Sequence, residues 1–221
     1  MFTGLIETKV RVASVYRNGD IAVVTIAAPL LAPELKLGDS VSLSGVCSTV
    51  TEKNENSFSV ELMPETQKRT KFSDITVGSE LNAERAMKAD SRFDGHIVAG
   101  HVDGTAVVSK IENLGKTKKY YFSADKSLLS GIVEKGSVTI DGVSLTVIDA
   151  ADTYFSVGII PTTLSVTTLG SLKASDTVNI ETDIVGKYIN KFMEQRFEQK
   201  KSNKEVKNTL TWDKLNECGW L

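Results

Sequence analysis

Apolar and polar residues alternate with a period of two along most of this chain. IAVVTIA (Ile21 to Ala27), SFSVELM (Ser57 to Met63), TAVVSKI (Thr105 to Ile111) and YFSVGII (Tyr154 to Ile160) are short and rich in β-branched residues. Between them stand Gly, Asn and Asp clusters such as Asn18-Gly19-Asp20, Leu37-Gly38-Asp39 and Asp141-Gly142. Such runs predict strands joined by turns, because successive side chains of a strand face opposite sides. Short helical turns are expected at APLLAPEL (Ala28 to Leu35) and SADKSLLSGI (Ser123 to Ile132). The period changes near the end, where Ile184, Val185, Tyr188, Ile189, Phe192, Met193 and Phe197 recur at helical spacing. The charged run EQKKSNKEVK then reads as a solvated connector. TLTWDKLNECGWL reads as a short helix with Trp212 and Leu215 on its apolar face and Gly219 as its stop.

The strand pattern is written twice. SVSLSGVCSTV (Ser40 to Val50) aligns without gaps on SVTIDGVSLTV (Ser137 to Val147), ELMPET (Glu61 to Thr66) on GIIPTT (Gly158 to Thr163), and LNAERA on VNIETD. TGLIE near the start falls on AGHVD, with Gly4 matching Gly100. An offset of about 97 residues is too long for a solenoid or propeller repeat, but it suits a duplicated domain that closes its own core. About six strands per copy argue for compact antiparallel barrels. The expected organisation is a first barrel over 1–94, a second over 95–186 and a helical tail over 187–221. The tail helix has two readings: it packs on its own domain, or it associates with copies of itself in an oligomer.

Composition narrows the function. A formal net charge of -2 with no basic stripe gives no footprint for nucleic acid. The apolar runs stop short of a membrane span. Met1 leads directly into a strand pattern without a basic leader, so no signal peptide is expected. Cys47 and Cys218 read as free thiols of a cytoplasmic protein, and two histidines without paired cysteines argue against structural zinc.

Duplication offers two similar seats, and the positions where the copies differ mark where their roles part. Cys47 and Thr49 share one strand face, with Val46 and Val50 on the other; Ser144 and Thr146 repeat the arrangement. Each copy so presents a pair of hydrogen-bonding groups on an apolar wall. Ser48 stands on the apolar face, opposite Leu145 of the second copy. Gly4 and Gly100 allow close backbone approach to a flat ligand. His101 replaces Leu5, adding a group that exchanges protons near neutral pH. Asp183 replaces Ala86, as an acid–base or recognition group or as the cap of the tail helix.

Together MFTGLIE, GVCSTV, GHVDGTA, KGSVTIDGVSLTV, IIPTTL and VNIETDIVGKYI resemble the riboflavin synthase family, alpha-chain type, over essentially the whole chain. The resemblance implies a mainly β fold: two tandem homologous six-stranded antiparallel β-barrels of the flavin-reductase kind plus a C-terminal α-helix, assembled as a homotrimer through the C-terminal helices. It implies a dismutation of two 6,7-dimethyl-8-ribityllumazine molecules to riboflavin and 5-amino-6-(D-ribitylamino)uracil, needing neither metal nor redox cofactor. The productive site would pair the N-terminal barrel of one chain with the C-terminal barrel of its neighbour. Carried over by motif, Gly4, Leu5, Ile6, Cys47, Ser48, Thr49, Glu61, Leu62, Met63, Pro64, Glu65 and Thr66 would hold one lumazine. Gly100, His101, Val102, Lys135, Ser144, Leu145, Thr146, Gly158, Ile159, Ile160, Pro161, Thr162 and Thr163 would hold the other. His101, Ser144 and Thr146 would handle protons, Cys47 or a water would be the transient nucleophile, Asp183 would orient a partner, and Phe2 and Ser40 would support the pocket. The chain departs from the family at Ser48, usually Leu, and at Asp94-Gly95-His96, usually Gly-Gly-His.

Two other readings compete. Some relatives on this duplicated barrel bind lumazine or flavin as light-emitting antennae without turnover. They lack the His of GHVDG and the Thr of SLT, both present here as His101 and Thr146. A flavin-dependent oxidoreductase would need a nucleotide-binding domain with a Gly-rich loop, and none follows.

Overall fold

The computed structural model describes residues 1–207 and 216–219. The first copy forms β1 (Thr8–Asn18), β2 (Ile21–Ala27), β3 (Ser40–Leu43), β4 (Val46–Lys53), β5 (Ser57–Leu62), a short α1 (Pro64–Arg69) and β6 (Glu80–Arg85). The second repeats it as β7 (Gly104–Leu114), β8 (Thr117–Ser123), α2 (Lys126–Leu129), β9 (Ser137–Ile140), β10 (Val143–Ala150), β11 (Phe155–Ile159), α3 (Pro161–Val166) and β12 (Thr177–Thr182). Each set closes into an antiparallel barrel with the same strand order, β1-β2-β5-β4-β3-β6 and β7-β8-β11-β10-β9-β12. The register slips at matching places, at Val12/Ser14 and Val50/Glu52 in one barrel and at Val108/Lys110 and Val147/Asp149 in the other. Such bulges sharpen the twist that closure requires.

The alternating residues fill the barrels as the sequence predicts. Val24, Ile26, Phe58, Val60 and Leu62 lie inside the first, and Tyr120, Phe122, Phe155, Val157 and Ile159 inside the second. The helical turn expected at Ala28 to Leu35 is a 3-10 turn at Ala32–Glu34, and the one at Ser123 to Ile132 is α2. The helices α1 and α3 carry no apolar periodicity of their own. Pro64 and Pro161 occupy their first turn, where a missing N–H costs nothing.

A network centred on the two Gly turns joins the barrels. Gly45 and Gly142 approach so closely that a Cβ on Gly142 would lie 2.8 Å from the Gly45 nitrogen. Asn82 Nδ2 donates to the Asp141 carbonyl (2.8 Å) and Asn179 Nδ2 to the Ser44 carbonyl (2.9 Å). Their Oδ1 atoms accept from the amides of Thr168 and Lys71. One asymmetry breaks this pattern: Lys71 Nζ pairs with buried Asp141 at 2.5 Å, while the matching positions hold Thr168 and Ser44.

Residues Met1–Ile184 form one compact unit and Val185–Leu221 a second. The helix α4 (Ile184–Lys207) opens directly after Asp183. It runs on through the charged stretch expected to be a connector, since Glu, Gln and Lys are good helix formers and that stretch has no Gly or Pro. Val185, Tyr188, Ile189, Phe192 and Met193 are exposed on it. Gly219 has a φ of +73° and donates to the Asn216 carbonyl, as a helix stop does. Trp212 and Leu215 lie outside the described residues. Among the described residues no helix is long and apolar enough to cross a membrane.

Candidate functional site

The segments that lead into each barrel cross to the other one. Gly4 accepts a hydrogen bond from the Ser144 amide of β10, and Gly100 accepts one from the Cys47 amide of β4, both at 2.8 Å. Ile6 packs on the core of the second barrel and Val102 on the core of the first. Buried carboxylates hold both crossings. Glu84 accepts from Thr3 N, Thr3 Oγ1 and Gly4 N at 2.6, 2.7 and 3.0 Å, and Glu181 from the amides of Ala99 and Gly100 at 2.7 and 3.0 Å. Burial pushes the Glu84 carboxyl above the ordinary range, against the pull of these donors. Matched Glu84 and Glu181 were visible in LNAERA and VNIETD; their task was not, because only the fold brings the crossing segments to them.

The crossing corrects the expected grouping. Gly100, His101 and Val102 complete the seat on the first barrel, and Gly4, Leu5 and Ile6 belong with Ser144 on the second. The first seat holds a cavity of about 170 Å³ lined by Val46, Cys47, Glu65, Thr66, Arg69, Thr70, Gly100, His101 and Val102. Cys47 is half-buried, Thr49 and His101 are exposed, and Phe2, fully buried, lies beneath Gly100. Arg69 Nε donates to Glu65 Oε1 and holds that carboxyl below its ordinary range.

In the second seat Ser144 meets a different histidine from the one expected. His96 Nδ1 lies 2.7 Å from Ser144 Oγ, and its Nε2 lies 3.2 Å from Thr139 Oγ1. Thr139 stands directly across the β9–β10 ladder from Ser144. The ring is buried, which lowers its pKa, while the charge of nearby Asp183 pulls the other way. The chain's two histidines thus lie on the link between repeats, His101 in the first seat and His96 in the second. The sequence marks His96 only as part of a family variation, because repeat one has no counterpart to show it as a divergence.

The remaining expected residues differ in burial and in place. Glu61, Met63 and Glu65 on the first barrel, and Thr146, Gly158, Ile160 and Thr162 on the second, are exposed, whereas the side chains of Leu62 and Ile159 are buried in the barrel cores. Ser48 is buried too, with its hydroxyl turned to the Val46 carbonyl at 3.4 Å, while Leu145 is half-buried against the second core. Pro64 and Pro161 open their helices, and Thr66 and Thr163 are half-buried within them. Ser40 lines a separate cavity of about 640 Å³ with Leu5 and Arg85. Lys135 sits in the turn before β9 at a φ of +64°, its amide on Val147 O and its side chain exposed.

The model of the lumazine binding domain matches this chain twice, over residues 3–86 and 99–183. The riboflavin synthase of Actinobacillus pleuropneumoniae is 44% identical over 220 residues, covering 100% of both chains. That of Bacillus subtilis is 40% identical over 220 residues, again covering 100% of each. The chain belongs to the riboflavin synthase family. LumP, solved with 6,7-dimethyl-8-(1'-D-ribityl) lumazine, shares the family fold with a TM-score of 0.75 at 21% identity, over 82% of this chain and 99% of its own. LumP solved with riboflavin gives 0.75 at 24% identity, with the same coverage.

Proposed function

We propose that this chain is a riboflavin synthase: it converts two molecules of 6,7-dimethyl-8-ribityllumazine into riboflavin and 5-amino-6-(D-ribitylamino)uracil. The observation that carries this is two matched seats, each joining a small nucleophile-type side chain to a histidine, in a chain aligned end to end with riboflavin synthases. The products fix the balance. The four-carbon unit leaves two nitrogens of the donor and joins the two methyl carbons of the acceptor, while four hydrogens pass as protons from those methyls to the donor's pyrimidine. No oxidant or reductant enters.

One lumazine must lose a methyl proton and the other must gain a nucleophile at C7. His101, exposed in the first seat, takes the methyl proton there. In the second seat Ser144, with His96 as its proton acceptor, adds to C7 or holds the hydroxide that does, in the arrangement of a base-activated hydroxyl. Thr49 and Thr146 orient the ring carbonyls, Cys47 backs the first ring, and Asp183 tunes His96. Holding two rings in register supplies much of the rate.

The catalytic unit is the homotrimer, joined through α4, whose exposed Val185, Tyr188, Ile189, Phe192 and Met193 repeat at helical spacing. In it the first seat of one chain faces the second seat of the next. Two free thiols fit a cytoplasmic home. The domains are 1–94, 95–186 and 187–221. Purified protein mixed with the lumazine alone is expected to develop flavin absorbance. Tight binding without turnover would instead make it an antenna-type binding protein.

A further inference from the structure

His96 and Ser144 meet in the second seat, yet the carboxylate that ties their backbones together belongs to the first barrel. Glu84 is buried near the end of β6, and two chains of hydrogen bonds lead from it. In one, Gly4 N donates to Glu84 Oε2 at 3.0 Å. The carbonyl of that same peptide unit, Thr3 O, accepts from His96 N at 3.3 Å. In the other, Thr3 Oγ1 donates to Glu84 Oε1 at 2.7 Å and accepts from Leu5 N at 3.3 Å. The carbonyl of the Gly4–Leu5 unit then accepts from Ser144 N at 2.8 Å. Each member of the pair therefore hangs on its own peptide plane, and both planes lead back to one carboxylate. A carbonyl whose own N–H is engaged is polarised into a stronger acceptor, so each chain reinforces itself. Gly95 makes room for the first chain, since a Cβ there would lie 1.9 Å from Thr3 O. The opposite crossing is simpler. Glu181 accepts from the amides of Ala99 and Gly100, and position 99 has no hydroxyl to extend a second chain.

We infer that Glu84 is a positioning residue of the second seat: through Thr3, Gly4 and Leu5 it fixes where His96 and Ser144 stand relative to each other. The inference rests on the reading of His96 and Ser144 as a proton-transfer pair. The chain has two histidines, His101 in the first seat and His96 in the second, so their Cε1–H signals in NMR spectra report the seats separately. His96→Gln and His101→Gln assign the signals. Glu84→Gln in the full-length protein keeps the side chain's size but turns one acceptor oxygen into a donor. It is expected to shift the His96 signal, leave that of His101 in place and lower kcat about tenfold or more, as slight misplacement of reacting groups does. Thr3→Val cuts only the hydroxyl chain. It is expected to act in the same direction to a smaller extent, and it carries the test should Glu84→Gln not fold. Glu181→Gln is expected to do the reverse, moving His101 and sparing His96. A His96 signal that stays put in the folded variant, or a His101 signal that moves as far, overturns the inference whatever the activity. A shifted His96 signal with kcat within about threefold of wild type would remove the pair from the chemistry and leave Glu84 in its positioning role.

Discussion

His96 Nδ1 and Ser144 Oγ lie 2.7 Å apart across the junction of the two repeats, with Thr139 Oγ1 on the far side of the ring. The tautomer protonated at Nε2 satisfies both contacts, accepting from Ser144 and donating to Thr139. Ser144→Ala is therefore expected to lower kcat about a hundredfold or more, the scale of a lost proton-transfer partner. Stopped-flow flavin formation measures this, and a kcat within threefold of wild type would remove Ser144 from the chemistry.

The same ring makes stability depend on pH. Burial depresses the folded pKa of His96 below its ordinary 6.5, with Asp183 opposing. Below pH 6.5 the unfolded chain binds the proton more readily, so the contribution present above 6.5 is lost as pH falls through the folded value. Urea midpoints taken between pH 7.5 and 5 are expected to fall more steeply for wild type than for His96→Gln. Parallel curves would show that the ring is not buried neutral.

Gly100 illustrates what the sequence could say and what it could not. Its φ is +78°, and a Cβ there would lie 2.7 Å from Cys47 Cβ and 2.9 Å from Phe2 Cε2. Left-handed backbone alone costs an L-residue about 1–2 kcal/mol, and the contacts add to it. Gly100→Ala is expected to lose about 2 kcal/mol or more by chemical denaturation and to weaken lumazine binding in the first seat. An unchanged midpoint would mean that the crossing segment is not held where described.

Close approach at Gly4 and Gly100 was legible because both copies keep the glycine. Strand number and the faces of Cys47, Thr49, Ser144 and Thr146 were legible from period-two alternation. The partner of each glycine was hidden, since a repeat alignment pairs Gly4 with its own barrel and cannot show that the segments cross. His96 and Arg69 were hidden for related reasons. One has no counterpart in the first repeat, and the other lies on a helix too short to show a period.

Lys71 and Asp141 make a graded test of the barrel junction. Asp141 is fully buried and accepts from Lys71 Nζ, while the equivalent places on the other side hold Thr168 and Ser44. Removing one member of a buried pair costs about 3–5 kcal/mol, because the survivor keeps an uncompensated charge. Lys71→Thr is expected to be the more destabilised variant. Lys71→Thr/Asp141→Ser, which copies the opposite side, should recover at least half of the loss. A double variant as unstable as the single one would show that the ion pair, rather than charge balance, holds the junction.

Assembly can be separated from folding. The barrels form a compact unit that ends at Ile184, and Val185, Tyr188, Ile189, Phe192 and Met193 follow at the spacing of one helical stripe. A stripe of that width exposed to water stabilises association when copies cover it. Deleting residues 188–221 is therefore expected to reduce the native mass from three chains to one in analytical ultracentrifugation, with the β-sheet circular dichroism retained. Ile189→Glu/Phe192→Glu in the full chain should do the same without shortening it. Flavin formation should fall with the mass if, as proposed, each productive pair of seats draws on two chains. An unchanged mass in both variants would refute assembly through α4, and full activity in a monomer would refute the shared site.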